Sequence, residues 1–130
     1  MATYLGTFGK IMLQRKSVEG ALESVVNPSD VNTDAKRFSF DFNTNTLITG
    51  DQIEIASTNG AVLGWVAASG WGNSTQQSSG KWYINVDELG GIRLYNSFVN
   101  AVNGGKVNAI SLENIANDIP IRVEITNSQY

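Results

Sequence analysis

The sequence predicts a mainly β protein, a small β-sandwich or barrel with one short α-helix. Three observations support this class. Apolar and polar residues alternate along several short segments, the period of a strand with one buried face. Turns rich in glycine and asparagine separate these segments. One segment, residues 96–103, has apolar residues at helical spacing, and the length of 130 residues suits one domain.

The N-terminal part is expected to differ from the rest of the chain. Residues 1–16 are predicted to form an extended arm that leads into a first strand through the apolar run Ile11–Leu13. Residues 17–130 are predicted to form a single β domain. Within that domain, residues 24–26 are interpreted as a short strand that ends before Pro28, because proline lacks a backbone N–H donor.

The strand patterns in the first half of the domain are clear. Residues 37–42 contain three phenylalanines that alternate with polar residues, and residues 52–57 alternate in the same way. The pair Asn59-Gly60 follows, a strong short-range hairpin signal. Residues 62–68 are therefore predicted to be the returning strand of a hairpin.

Further strands are predicted in the second half. Residues 81–86 and 92–95 are expected to pair across the turn at 87–91, and residues 119–126 to form the last strand. Pro120, near the start of that strand, favours a position at the edge of a sheet.

The helix signal covers residues 96–103, with Asn96 as the expected N-cap. Gly104 is expected to end the helix, and one further helical turn is expected within residues 111–117. The residues predicted to share the buried face of the helix are Phe98, Ala101 and Val102.

Composition argues against several function classes. The net charge is −3, charged residues make up 16% of the chain, and no basic run is present. Tight or specific nucleic-acid binding is therefore not expected. No apolar stretch approaches the length of a membrane span, and the first residues lack the pattern of a signal peptide. We expect no membrane association and no secretion by the general route.

Enzymatic chemistry is not expected either. The chain contains no histidine and no cysteine, so the common nucleophile triads and nearly all zinc sites are excluded. Five carboxylates were considered as acid–base pairs and interpreted instead as solvated charges and turn residues: Asp41, Asp51, Glu54, Asp87 and Glu88. We therefore expect no catalytic residues, no metal site and no cofactor.

Trp71 is the most informative single residue, because it lies between two glycines in the polar loop 69–80. Three interpretations remain open: it stacks on a sugar, it docks into a neighbouring subunit, or it folds back over the edge of the core. The candidate assembly interface combines this loop with the arm and consists of Tyr4, Leu5, Phe8, Ile11, Leu13, Trp71, Asn73, Gln76 and Gln77.

Several segments together resemble structural proteins of tailed-bacteriophage virions. The segments TGDQIEI, GKWYINVDELGGIRLYNSFVNAVNG and AISL are similar to a small β module of such proteins. The segments YLGTFGKIMLQRKS and DVNTDAKRFSFDF resemble the N-terminal region of tail proteins from cyanobacterial and marine phages. The residues that match the module are Tyr83, Ile92, Leu94, Tyr95, Ser97, Ala101, Gly104, Ile110 and Leu112.

This resemblance implies a major tail tube protein that forms rings through sheet edges, with the arm and a long loop bridging rings. The tail proteins in question continue well past the position of Tyr130, which favours the alternative of a capsid cement or decoration protein, often trimeric. A carbohydrate-binding module that uses Trp71 is a further alternative. The first two imply a homo-oligomer in contact with other virion proteins, assembled in the host cytoplasm and located in the virion.

The sequence also contains few residues that protect a sheet edge. Small β domains cover, pair or charge their edges, yet this chain has two prolines and few lysines. We therefore expect neighbouring subunits to cover the edges, with the N-terminal arm as one covering strand.

Overall fold

The computed structural model describes residues 21–40, 47–71 and 75–129. In these residues seven strands form one antiparallel sheet shaped like half a barrel, in the order β1-β7-β4-β5-β6-β3-β2. The mainly β class is confirmed, and the described ranges contain one short α-helix. The elements are β1 (Ala21–Val26), β2 (Val31–Asn32), β3 (Arg37–Phe38), β4 (Gln52–Ser57), β5 (Ser79–Val86), β6 (Ile92–Tyr95), α1 (Phe98–Asn103) and β7 (Ile119–Asn127).

The first predicted segment lies outside these ranges, whereas the second lies within them. The arm and first strand predicted for residues 1–16 lie outside the described residues. The strand predicted for residues 24–26 is confirmed as part of β1, and Pro28 begins a 3₁₀ turn, Pro28–Asp30, directly after it.

β4 forms where the alternation predicts it and lies at the centre of the sheet. Ile53 and Ile55 are fully buried, whereas Gln52 and Glu54 are partly exposed on the other face. β4 pairs with β5 on one side and β7 on the other. Both neighbours bury their own alternate residues against the same core, which fixes the register of all three strands.

The edge position predicted from Pro120 is wrong. β7 lies between β1 and β4, and Pro120 is opposite Val25 of β1. The pairing with β4 ends at Ile121, so Pro120 lies just beyond it, where its carbonyl oxygen accepts a hydrogen bond from the N–H of Thr58 at 3.0 Å. A proline is tolerated there because it is near the start of the strand.

The β5–β6 pairing is confirmed, with Tyr83 opposite Tyr95 and Val86 opposite Ile92. Trp82 is buried on the core face of β5, as expected from its alternation with the partly exposed Tyr83.

Two other predictions are wrong, and one contact explains both. Residues 62–68 do not form a strand beside β4, and residues 111–117 do not form a helical turn. Instead Val66 and Leu112 form an isolated antiparallel bridge. The N–H of Glu113 donates to the carbonyl of Trp65 at 2.8 Å. Each segment satisfies the backbone groups of the other, so neither needs the local partner that its own sequence suggests.

The strand predicted for residues 37–42 is shorter than expected, since β3 contains only two residues and 39–40 are irregular. Residues 41 and 42 lie outside the described residues. Phe38 and Phe40 are nevertheless both buried, with ring centroids 5.1 Å apart in an edge-to-face arrangement. Edge-to-face packing adds to the stabilisation from apolar burial, and it does not require a strand.

The core contains Trp65 and Trp82. Trp65 is fully buried in the irregular segment after β4, and its ring centroid lies 5.5 Å from that of Phe38. Trp82 donates its indole N–H to the carbonyl of Gly70 at 2.9 Å. Among the described residues, no helix has the length and apolar character needed to cross a membrane.

Candidate assembly surface

α1 begins at a residue different from the one predicted. Ser97, and not Asn96, is the N-cap, and its hydroxyl oxygen accepts a hydrogen bond from the N–H of Asn100 at 3.1 Å. The helix ends at Gly104, as predicted, where φ is +69° and the N–H donates to the carbonyl of Asn100 at 2.9 Å. A positive φ favours glycine, so both ends of this six-residue helix are determined locally.

Side chains from the sheet fix the orientation of α1. The amide of Asn85 on β5 donates to the carbonyl of Ala101 at 2.8 Å. The hydroxyl of Tyr95 on β6 donates to the carbonyl of Gly105 at 2.6 Å, immediately after the helix. Ala101 itself is fully buried in a small cluster with Tyr95 and Ala109. The helix is therefore held against β5 and β6 by its smallest apolar side chain.

The larger apolar side chains of α1 are less buried than Ala101, although the ring of Phe98 contacts Tyr83 of β5 edge-to-face, with ring centroids 6.4 Å apart. At about 100° per residue, Phe98, Val102 and Val99 lie about 60°, 100° and 160° around the helix from Ala101. Their exposed fractions rise in the same order, 41%, 49% and 63%. The prediction that Phe98 and Val102 share the buried face with Ala101 is wrong for Val102 and holds only in part for Phe98, whose ring is covered on one side by Tyr83. A small helix on a sheet fully buries only the residues nearest its contact line.

These three residues form an exposed apolar surface that we call the α1 face: Phe98, Val99 and Val102. The helix contains no charged residue, since its other positions are alanine and asparagine. Val107, in the loop after the helix, is 89% exposed. Neighbouring apolar residues exposed in this way are typical of interaction surfaces, and depletion of charge is typical of the core of an interface.

A second exposed apolar residue lies at the tip of the β5–β6 turn, where Leu89 is 88% exposed. The turn that holds it is well hydrogen-bonded. A carboxylate oxygen of Asp87 accepts from the N–H of Leu89 at 2.9 Å and from the N–H of Gly91 at 2.8 Å. The backbone N–H of Asp87 donates to the carbonyl of Gly91 at 3.0 Å. Leu89 is thus presented to solvent on a fixed support.

The second carboxylate oxygen of Asp87 binds Arg37 of β3, whose Nε lies 2.7 Å away. Burial acts to raise the pKa of Asp87. The hydrogen bond from Arg37, the two backbone N–H groups and the charge of Arg37 together outweigh this effect, so the pKa is lowered from its ordinary value of 3.8. The ion pair therefore connects the turn to β3 across β6.

Among the acidic residues in the described ranges, Asp51 is the one that is completely buried. Its carboxylate accepts hydrogen bonds from the N–H of Ile48 at 3.1 Å and of Gln129 at 2.9 Å. Its interpretation as a turn residue is consistent with the first bond, but it is not a solvated charge. It connects the start of β4 to the segment after β7.

Trp71 packs against the core, with its ring centroid 4.9 Å from that of Trp82 and an angle of 71° between the ring planes. It is partly buried. The absence of a side chain at Gly80 makes room for both rings, since a Cβ there would lie 2.6 Å from an atom of each. This placement is the one expected if Trp71 covers the edge of the core.

The other residues of the predicted interface are placed in different ways. The side chain of Gln76 donates to the carbonyls of Val66 and Gly64 at 2.7 and 3.2 Å. It therefore connects the loop 69–80 to the preceding segment of the same chain. Gln77 is exposed. An open cavity of about 160 Å³ lies between Trp71, Gln77 and Lys81. Asn73 and the five arm residues, Tyr4, Leu5, Phe8, Ile11 and Leu13, lie outside the described residues.

The remaining candidate acidic residues are dispersed. Glu54 is partly exposed on β4, Glu88 is exposed beside Leu89, and Asp41 lies outside the described residues. In the part of the chain that the structure describes, no three His, Cys, Asp or Glu side chains are grouped in a way that could hold a metal ion.

The α1 face and Leu89 were not among the predicted interface residues, although the sequence carries a signal for each. The helix FVNAVN has apolar residues at four of six positions, more than a short helix on a sheet can bury. Leu89 is a large apolar residue in the middle of a turn, flanked by Glu88 and Gly90.

The fold and this surface identify the protein as a mainly β, barrel-like domain. Its single described helix carries an exposed apolar surface. A scan against protein-family models found no match, and neither a search of curated proteins nor a search of solved structures found one.

Proposed function

We propose that this protein is a structural component of a tailed-bacteriophage virion, and that copies of it assemble into the tail tube. The observation that carries the assembly part of the proposal is the α1 face: a rigidly held helix exposes three large apolar side chains and no charge. A surface of this kind is stabilised when another protein covers it. The sequence resemblance to phage tail proteins supports the virion as the place of assembly.

The sheet offers a second route for contact between copies. β1 and β2 are the terminal strands of the described sheet, and each has a partner strand on one side only among the described residues. Terminal strands are where sheets of neighbouring subunits join. Rings formed in this way, with the N-terminal arm contributing to the contacts, are the assembly that a tube requires.

The charge of the chain is compatible with a tube through which DNA passes. The net charge is −3, and like charge reduces adhesion between a protein wall and a phosphate backbone. The proposed role is purely structural and uses no catalytic group.

The test is electron microscopy of the purified protein at high concentration, together with antibody labelling of the particle that carries it. Rings or tubes from the protein alone and labelling along the tail are the expected results. Labelling over the head shell would support the alternative, a capsid decoration protein. If the protein stays monomeric and the antibody labels no particle, both virion roles are overturned. Retention of the protein on a polysaccharide would then favour a carbohydrate-binding module.

A further inference from the structure

Two of the exposed apolar features on the described surface differ in shape. One is Leu89, a single side chain at the tip of a tight turn and 88% exposed. The other is the α1 face, which is broad and lies on a helix held against the sheet. Since Leu89 is so exposed, it does not pack on the α1 face of its own chain. A protruding side chain and a broad apolar surface are complementary shapes.

We infer that Leu89 of one copy docks on the α1 face of a second copy. This inference rests on the self-assembly in the proposed function and names the surfaces that make the contact. The turn that carries Leu89 and the helix α1 are both held in place before binding. Asp87 holds the turn through two backbone N–H groups and Arg37. Hydrogen bonds from the sheet hold α1. Little conformational freedom is lost when preorganised surfaces meet, which favours association.

Charge complementarity points to a second copy as the partner. Glu88, next to Leu89, is exposed, and Lys106, three residues after the last residue of α1, is also exposed. When Leu89 lies on the α1 face, the acidic neighbour of the protruding residue and the basic neighbour of the receiving surface are brought towards each other. Opposite charges at the rim of an apolar contact set its orientation and partner choice.

A contact between two different surfaces has a further consequence. Each copy uses Leu89 towards one neighbour and its α1 face towards another, so the contact is heterologous. Such contacts continue from copy to copy and either close into a ring or extend as a filament. The same contact made twice between two copies related by a twofold axis would stop at a dimer.

The test uses two variants, each with one altered surface. Leu89→Glu removes the protruding apolar side chain and keeps the α1 face, whereas Val102→Glu alters the α1 face and keeps Leu89. Val62→Glu is the matched control, because Val62 is 48% exposed and belongs to neither surface. Circular dichroism and thermal melting check that each variant folds, and Val99→Glu replaces Val102→Glu if the latter does not.

Light scattering coupled to gel filtration gives the mass of the assemblies. Each of the two variants alone is expected to lose assembly, with an apparent dissociation constant raised about tenfold or more, because a carboxylate placed in an apolar contact is strongly unfavourable. The control is expected to assemble like the unaltered protein. An equimolar mixture of the two variants is expected to recover a pair of one copy of each that neither variant forms alone through these surfaces, since one intact contact between Leu89 and an α1 face remains.

Three results would overturn the inference. If both variants assemble normally, the contacts lie elsewhere, for example at the terminal strands, and the proposed self-assembly then rests on those strands and not on the α1 face. If Val102→Glu prevents assembly and Leu89→Glu does not, the α1 face is covered by another α1 face or by the N-terminal segment. If the unaltered protein is monomeric at high concentration, the inference fails together with the proposed self-assembly.

Discussion

Single residues determine how the apolar tip of the β5–β6 turn is held. Asp87 uses one carboxylate oxygen for the turn and the other for Arg37. The side chains of Arg37 and Asp87 are 26% and 29% exposed. An ion pair this accessible contributes modestly to stability because water competes for both charges.

We predict that Asp87→Asn lowers the free energy of unfolding at neutral pH by about 1 kcal/mol or less. Asparagine keeps an oxygen that can accept from the N–H groups of Leu89 and Gly91, so the substitution chiefly removes the bond to Arg37. The pKa of Asp87 is lower in the folded protein than its ordinary value of 3.8. Its contribution is therefore complete above that value and is lost as the pH falls through the folded pKa.

Urea denaturation from neutral pH to about pH 3 checks this prediction. The difference between the unaltered protein and the variant should be constant above about pH 5 and shrink below pH 4. A difference that stays constant down to the lowest pH would contradict the assignment of the pKa shift to Asp87.

At the scale of the element, the alternation of apolar and polar residues predicts some strands correctly and fails for others. β4 begins and ends where the alternation of its isoleucines predicts, and the β5–β6 hairpin is where its turn residues indicate. These strands pair with long neighbours over several residues, so local pattern and tertiary environment agree. Residues 65–67 and 111–113 pair with each other instead, and no local pattern records a partner more than 40 residues away.

The assembly surface likewise has features that the local sequence predicts and features that depend on tertiary contacts. The caps of α1 are local and could be predicted to within one residue, since Ser97 replaces Asn96 and Gly104 is correct. Which side chains of α1 face solvent depends on the contact of Ala101 with β5 and β6, and this contact is made by the sheet. Trp71 could be recognised as unusual, but its position on Trp82 depends on the space at Gly80.

The packing of β5 on the two tryptophans gives a prediction for that element. Gly80→Ala should lower the free energy of unfolding by about 1–3 kcal/mol, because the added methyl group would overlap the rings of Trp71 and Trp82. The ring of Trp82 cannot move freely, since it is buried and its indole N–H is bonded to Gly70. Chemical denaturation followed by tryptophan fluorescence measures the change.

Ser79→Ala is the matched control for Gly80→Ala, because Ser79 is exposed on the same strand. It should change stability by less than about 0.5 kcal/mol. The penalty of Gly80→Ala should be smaller in a Trp71→Ala background, where one of the two rings is absent. Equal stability of the two single variants would show that β5 can shift away from the rings.

At the scale of the whole molecule, β1 and β2 are the terminal strands of the seven-stranded sheet that the described residues form. β1 starts at Ala21 and so follows directly on the N-terminal segment that carries Tyr4, Leu5 and Phe8. We expect this segment to cover a neighbouring copy, because apolar residues on an arm gain stability when another surface buries them.

Deletion of Ala2 to Gly9 should therefore leave a folded domain that no longer assembles. Circular dichroism checks the fold, and light scattering coupled to gel filtration measures the assembly. The control is a full-length chain in which serine replaces Tyr4, Leu5 and Phe8. It keeps the length of the segment, removes these apolar side chains, and should behave like the deletion. Normal assembly of either variant would contradict a role for the arm.

The position of β7 in the sheet has a consequence for how the chain folds. β7 separates β1 from β4, although it is formed by residues 119–127 and β1 by residues 21–26. Pairings this far apart in sequence form slowly. Until residues 119–127 are synthesised, β1 and β4 each lack the neighbour that lies between them. Nascent or truncated chains without this segment therefore expose one unpaired edge of β4 and leave β1 without its described partner strand, so they are expected to be prone to aggregate during expression.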